Sequence, residues 1–476
     1  MHPLRRPLVA TAAVVFACAG VAGAAEVKPL DQSDTKAAPT GLSEPAVPRR
    51  ANILIVITDD QRQGLNVMPA VRKYFTEQGR TYPSAFVTTP VCCPSRASIM
   101  TGQYAHNHHV QSNIPGVTLD EFVQRDTIQK RLHSDGYTTA YYGKFLNGWA
   151  LTKDPNYFDT YALADVGDNS SDTRYYNTPF AVRNEGEVGQ HEEIAEGYVT
   201  DYLGDEAVDF IDSHRNTPWL MILAPTAPHS PYTPESIYRD AWVGQWPGNE
   251  GVWEEDRSDK PPYVQAQDAQ LSKGQYIRAR QLRTLMSVDD VVERIFSTLR
   301  RIGESQDTLA LYISDNGYMW GEHGLIAKDV PYTPAVKVRM LARWPAAIPA
   351  GSVDRRLVSN IDIAPTALAA AGLDPTGMDG RNLLDVSWAR RRILLEHWCN
   401  VRACNLWAAT RTKGHQYVEY YNADGRTTFR EFYDLRRDPW QLRNLLYDGD
   451  SVNDPDWRPL AEQLAADRSC AGVSCP

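Results

Sequence analysis

Cysteine, positive charge and long apolar stretches are all scarce in this chain, and each scarcity removes a class of protein. Forty-nine Lys and Arg face fifty-nine Asp and Glu, a net charge of -10, which argues against a nucleic-acid partner or a polybasic membrane contact. An acidic chain that handles an anion must concentrate its positive charge locally. After the first two dozen residues no apolar run is long enough to cross a bilayer, so no transmembrane anchor is expected. The seven cysteines lack the second cluster and histidine spacing that a structural zinc site needs. No internal repeat is visible, and 476 residues with 42% hydrophobic composition can bury one large core and a smaller second one.

What is present begins with a leader. Arg5 and Arg6 precede an Ala/Val-rich run from Leu8 to Val21, and Ala22-Gly23-Ala24 offers a small-x-small cleavage site. Residues 1–24 therefore read as a signal peptide and the protein as secreted or extracytoplasmic. The Pro, Ala, Ser and charge-rich stretch 25–49 reads as a disordered spacer. With Cys18 in the leader, six cysteines remain, and four form close pairs, Cys399 with Cys404 and Cys470 with Cys475. Each pair could close a small loop in an oxidising compartment.

Four short apolar runs carry the fold. Ala51–Thr58, Thr138–Tyr142, Trp219–Ala224 and Leu309–Ser314 have the near-continuous hydrophobicity of strands buried on both faces. Helical patterns such as Thr127–His133 and Val199–Ser213 lie between them. The alternation predicts an α/β fold with a mostly parallel, doubly wound sheet, whose ligands bind beyond the carboxyl ends of the strands. The runs end in Asp59-Asp60, Gly143-Lys144, Pro225 followed by His229, and Asp315-Asn316, so these polar groups should share one crevice. Asp59, Asp60, Asp315 and Asn316 offer oxygen ligands only, which suits a hard divalent cation, calcium first. Singly, each cluster reads equally well as a helix cap or turn.

Cys92-Cys93-Pro94-Ser95-Arg96, leading into Ala97-Ser98-Ile99-Met100-Thr101-Gly102, is the sharpest signal. Pro94 and Ser95 read as helix start signals, which sets residue 92 beside a positively polarised helix N-terminus. Arg96 adds a bidentate donor suited to a tetrahedral oxyanion. After residue 385 the pattern changes to short strands, Ile393–His397, Tyr417–Tyr421 and Glu431–Leu435, with a turn at Ala423-Asp424-Gly425. The chain is thus divided into a catalytic domain over 50–385 and a small antiparallel C-terminal subdomain over 386–476.

Taken in order, strand-Asp-Asp, Cys-x-Pro-Ser-Arg-x-Ser-x-x-Thr-Gly, Gly-Lys, Ala-Pro-His, Asp-Asn-Gly and a downstream lysine resemble the type I sulfatases of the alkaline-phosphatase superfamily. His106-Asn107-His108-His109-Val110, Gly143-Lys144-Phe145-Leu146-Asn147, Ala227-Pro228-His229-Ser230-Pro231, Ser287–Glu293 and the closing Cys470–Cys475 are similar to its N-acetylglucosamine-6-sulfatase branch. The resemblance implies oxidation of Cys92 to formylglycine by a formylglycine-generating enzyme. It implies one calcium held by Asp59, Asp60, Asp315, Asn316 and the modified Cys92. Arg96 and Lys144 would neutralise the nucleophile and the sulfate, and His229 and Lys328 would contact the leaving oxygen, one of them as general acid. His106 and Asn147 are candidate substrate-binding residues. Lys328 departs from the pattern downstream, where Tyr332 is followed by Thr333 in place of a glutamate. The implied substrate is a sulfated carbohydrate. Two alternatives stand beside it: a phosphodiesterase or phosphonate monoester hydrolase on the same scaffold, and an inactive glycan-binding protein.

Overall fold

The computed structural model describes residues 50–113, 126–164, 172–398 and 406–476, all within one compact unit, Pro45–Pro476. The leader, the spacer and the Cys399/Cys404 pair lie outside the described residues.

The four apolar runs form the centre of a ten-stranded sheet. In spatial order the strands are Ser352–Val353, Arg80–Tyr82, Met340–Arg343, Thr308–Ser314, Asn52–Thr58, Trp219–Ala224, Thr138–Gly143, Thr160–Ala164, Tyr176–Arg183 and His191–Tyr198. The five from Thr308–Ser314 to Thr160–Ala164 are mutually parallel. Antiparallel strands extend the sheet on both sides. Register follows the two-residue alternation of a strand buried on both faces: Ile53, Ile55 and Ile57 enter one apolar layer, Leu54 and Val56 the other. The first layer is roofed by helices Cys92–Thr101, Ile128–Ser134 and Ile363–Ala371, the second by Val199–Ser213 and Leu271–Ile302. Each fully buried Leu, Ile or Phe in these layers contributes about 1.5–3 kcal/mol.

Two sequence-level boundaries move. The helix carrying Arg96 begins at Cys92, with Val91 extended before it, two residues earlier than Pro94 predicts. Pro94 is tolerated because the first-turn N–H groups have no intrahelical acceptor in any case. The C-terminal sheet holds four strands, Ile393–His397, Leu406–Arg411, His415–Tyr421 and Thr427–Asp434, all antiparallel. Leu406–Arg411 carries no clean alternation and was not expected. The Cys470–Cys475 pair is a disulfide with a Cα–Cα distance of 5.0 Å.

Asn360 braces the Cys92–Thr101 helix. Its Oδ1 accepts from the Thr88 N–H at 3.0 Å, and its Nδ2 donates to Ser95 Oγ at 2.9 Å. Asp289, in the Leu271–Ile302 helix, accepts from the N–H groups of Ala70 and Val71 at 2.9 and 2.8 Å. These N–H groups lie at the start of a helix that has no capping side chain of its own.

Gly143 joins sheet to site. Its φ is +113°, and a Cβ there would lie 2.1 Å from the Ala224 carbonyl oxygen, so both backbone conformation and space demand glycine. Gly143→Ala is expected to destabilise the fold by about 2–4 kcal/mol and to displace Lys144. Denaturant unfolding checks the first effect, and a midpoint within error of the parent would contradict it.

Candidate active site

Every carboxyl end of the central strands delivers a charged or polar side chain to one place. Asp59 and Asp60 follow Asn52–Thr58, Asp315 and Asn316 follow Thr308–Ser314, and Lys144 follows Thr138–Gly143. Backbone bonds lock these ends together: Asp59 N–H to Ala227 O at 3.1 Å, Asp315 N–H to Thr58 O at 2.9 Å, and Lys144 N–H to Ala224 O at 2.8 Å. Asp60 takes a left-handed φ of 69°, and its N–H donates to Asp315 Oδ1 at 3.2 Å. Cys92 enters from the first residue of its helix, with Sγ 3.6 Å from Asp59 Oδ1.

Three cations interlock with three carboxylates. Arg96 Nε donates to Asp315 Oδ2 at 2.8 Å, its Nη1 to the Lys144 carbonyl at 2.5 Å, and its Nη2 lies 3.7 Å from Asp59. The Lys144 ammonium bonds Asp59 Oδ2. The Lys328 ammonium bonds Asp60 Oδ1 and donates to Cys92 Sγ at 3.0 Å. His229 Nε2 sits 3.7 Å from Asp60 Oδ2. Asp59, Cys92, Arg96, Lys144, Asp315 and Asn316 are fully buried. The side chains of His229 and Lys328 retain 10% exposure each, so the open side of the cluster is theirs.

Electrostatics follow from this packing. Burial alone would raise Asp59, but Lys144, His229, Lys328 and Arg96 override it and hold the carboxyl well below its usual range. Asp60 and Asp315 are raised, by burial and by the Asp59 charge. Burial and Asp59 push the Cys92 thiol up to about 12. Burial, with Lys144 and Lys328 nearby, pushes His229 down to about 3 against the pull of Asp59.

Against known proteins, a family model described as Sulfatase matches residues 51–373. This chain belongs to the sulfatase family. A second model, N-sulphoglucosamine sulphohydrolase, C-terminal, matches residues 321–468. An N-acetylglucosamine-6-sulfatase of Capra hircus is 31% identical over 491 residues, covering 90% of this chain and 85% of that protein. An extracellular sulfatase SULF-1 homolog of Drosophila melanogaster is 29% identical over 75% of this chain, which spans 33% of that longer protein. A solved structure described as being in complex with its substrate D-glucosamine-2-N,6-O-disulfate superposes with a TM-score of 0.75 at 21% identity, over 88% of this chain and 97% of the other. The fold is also shared with a phosphonate monoester hydrolase from Silicibacter pomeroyi, TM-score 0.65 and 19% identity over 87% of this chain and 94% of the other, so fold alone does not choose between sulfuryl and phosphoryl transfer.

The sulfatase chain brings nine of its eleven sequence-predicted site residues into one cluster: Asp59, Asp60, Cys92, Arg96, Lys144, His229, Asp315, Asn316 and Lys328. His106 goes elsewhere. Its Nδ1 pairs with Glu396 at 3.0 Å and its Nε2 with the Cys470 carbonyl at 2.9 Å, so it ties the nucleophile side to the C-terminal sheet. Asn147 holds Cys93, its N–H donating to Cys93 Sγ at 3.0 Å, while its buried Oδ1 has no hydrogen-bond partner. Arg174 escaped the sequence reading: buried, with Nη1 3.2 Å from His229 Nδ1, it stands in a stretch without any motif. Trp246 packs edge-on against Trp320 with centroids 5.4 Å apart, anchoring its loop, and Trp242 and Trp253 are exposed.

The donor set accommodates a cation. Ligand atoms of Asp59, Asp60, Cys92 and His229 lie within 4.8 Å of one another, and the buried Oδ1 of Asn316 has no hydrogen-bond partner. The carboxylates and the Asn316 oxygen are the ready donors, and they fit a hard divalent ion. A second group, His106 with Cys470 and Cys475, has its two sulfurs joined as a disulfide.

His108 yields a pH prediction. Its Nδ1 accepts from the Val110 N–H at 3.1 Å, so its Nε2 carries the proton toward Ser98 Oγ, 3.0 Å away. Burial, then His106 and His109, push it down to about 3. A folded value below the unfolded 6.5 means stability that is present above pH 6.5 and lost as pH falls toward 3. Between pH 7.5 and 5.0 this group alone is expected to cost about 2 kcal/mol. His108→Asn keeps the Val110 bond and should flatten that loss in denaturant titrations at the two pH values; equal losses would contradict the assignment.

Proposed function

We propose that this sulfatase removes O-sulfate from a sugar, with the 6-sulfate of an N-acetylglucosamine unit as the leading substrate, using a formylglycine made from Cys92 and calcium held by Asp59, Asp60, Asp315 and Asn316. The observation that carries the reading is the convergence of Arg96, Lys144 and Lys328 on the Cys92 side chain and its carboxylates. Fixed cations around a transferring anionic group are the largest single source of catalysis in such reactions. The sugar class is supported by the N-acetylglucosamine-6-sulfatase relative and by the glucosamine disulfate substrate of the structural neighbour. Export through the leader is supported by the extracellular relative.

The chain's own groups divide the work. Cys92 as a thiol near 12 is a weak nucleophile, which supports its modification. Oxidised by a maturation enzyme, residue 92 would supply an aldehyde hydrate, one hydroxyl attacking sulfur and the other losing its proton so that sulfate leaves and the aldehyde returns. Calcium would supply Lewis-acid polarisation of the sulfate oxygens. Arg96, clamped between Asp315 and the Lys144 carbonyl, presents a fixed positive charge beside the attacking atom, and Lys144 adds a second through Asp59. Lys328 is the assigned general acid: its Nζ is 3.0 Å from Cys92 Sγ and on the open side, where it can give a proton to the bridging oxygen of the departing alcohol. His229, on the same side, would hydrogen-bond that oxygen.

The C-terminal sheet holds the general acid in place. Trp407 Nε1 donates to the Asp329 carbonyl at 3.0 Å, Gln416 Nε2 to the Pro331 carbonyl at 2.8 Å, and Tyr332 Oη to Glu431 Oε1 at 2.9 Å. Gln441 Oε1 accepts from both N–H and hydroxyl of Thr333 at 2.7 Å.

Initial rates on N-acetylglucosamine 6-sulfate, an aryl sulfate and an aryl phosphodiester test the reading, with enzyme coexpressed with a formylglycine-generating partner. The sugar sulfate should turn over fastest, and Cys92→Ala should abolish activity. A faster diester would make this a phosphoryl-transfer enzyme, and binding of sulfated sugar without turnover would make it a glycan-binding protein. Lys328→Met should lower kcat by about 10²–10⁴-fold; an unchanged kcat would remove Lys328 from the mechanism.

A further inference from the structure

A second cationic cavity opens beside the metal-binding loop. About 340 Å³ in volume, it is walled by Tyr82, Pro334 and Trp440, with Arg62, Lys337 and Arg339 as its charged lining. No carboxylate lines it. Arg62 is taken by Glu322 at 2.6 Å, its guanidinium 4.6 Å from the Trp320 ring and 5.9 Å from the Trp440 ring. The Lys337 ammonium and the Arg339 guanidinium have no hydrogen bond or ion pair among the described residues. Lys337 is exposed and Arg339 half-buried. Both side chains line this one cavity; partial burial lowers Arg339, and partial burial followed by the Arg411 and Arg339 charges lowers Lys337. Arg411, which lies outside the cavity lining, spends Nη1 on Thr333 and Gln416.

On a chain of net charge -10, with carboxylates in excess, unpaired like charges at a partly apolar cavity are unfavourable alone and become favourable when an anion supplies the missing partner. The walls narrow the choice of anion. The half-buried Trp440 offers a flat face of the kind that packs against a sugar ring, while two cations reach an acidic substituent. The volume fits a small-molecule site. Arg62 lies two residues after Asp60, which sets this cavity next to the loop that carries the metal ligands.

We propose that this cavity binds an anionic sugar unit, bearing sulfate or carboxylate, of a glycan chain that extends beyond the single sulfated sugar at Cys92. The site would give the enzyme affinity for chains over monosaccharides. The inference rests on the sugar-sulfatase reading for the nature of its occupant.

The test uses the full chain carrying Cys92→Ala, titrated by calorimetry with a sulfated glucosamine–uronate octasaccharide and with the same chain desulfated, before and after adding Lys337→Ser and Arg339→Ser. Binding of the sulfated chain should weaken by about tenfold, with thermal unfolding unchanged. Loss confined to the sulfated chain assigns the anion as sulfate, and equal loss for both chains assigns it as carboxylate. No binding by the parent, or equal binding with and without Lys337→Ser and Arg339→Ser, overturns the proposal. The same two substitutions in active enzyme should leave kcat/KM on the sulfated monosaccharide unchanged. Absence of monosaccharide turnover in the parent would sink the sugar-sulfatase reading alone, while the octasaccharide titration still decides the cavity.

Discussion

Three buried carboxylates at the ends of parallel strands, paired with three buried or nearly buried cations from a strand end, a helix and a connecting segment, set the terms for the rest of this structure. Removing charges from water costs several kcal/mol per ion, repaid when geometry is good and every remaining hydrogen-bonding atom is met. Asp59 with Lys144, Asp315 with Arg96 and Asp60 with Lys328 supply that pairing, while the buried Arg96 Nη2 has no hydrogen-bond partner. Their supports are then required in turn: a glycine at 143 for close strand approach, Asn360 to fix the Cys92–Thr101 helix, and Tyr141, whose hydroxyl donates to the Lys144 carbonyl at 2.6 Å. Breaking one pair leaves a stranded charge, so the cluster is rigid as a unit.

Rigidity there contrasts with the source of Lys328, which comes from a connecting segment and not from a strand end. Its segment is tied down from outside the main sheet, by Trp407, Gln416, Glu431 and Gln441. The small antiparallel sheet is therefore part of the site's support. This gives physical content to the match of residues 321–468 to a family model of their own: the matched stretch contains Lys328 as well as the sheet that fixes it.

Much of this was legible in the sequence because the chemistry sits beside strong local signals. Buried parallel strands announce themselves as unbroken apolar runs, and their ends are turns, so Asp59, Lys144, His229 and Asp315 could be assigned to one crevice before any coordinates. Helix Val199–Ser213 was bounded correctly by its periodicity. The misses have causes of the same kind. Pro94 is a helix start signal in general, but here the first turn begins at Cys92, because a proline is equally acceptable at the third position. Strand Leu406–Arg411 has residues buried on both faces of a small sheet and so lacks alternation. His106 lay near the nucleophile in sequence and was assigned to substrate, yet a side chain on the next helix points to the C-terminal sheet and finds Glu396. Arg174 and the Lys337/Arg339 cavity are products of long-range packing, and no spacing rule connects residue 62 to 337 or 174 to 229.

The central claim is that residue 92, in this setting of fixed cations, works as an aldehyde and not as a thiol. The most direct measurement quantifies the residue-92 aldehyde by peptide mass spectrometry across preparations with graded coexpression of the maturation enzyme, alongside kcat on the sugar sulfate. The account predicts that kcat rises in proportion to the aldehyde fraction and vanishes with it. Full activity in protein whose Cys92 is entirely unmodified would contradict it.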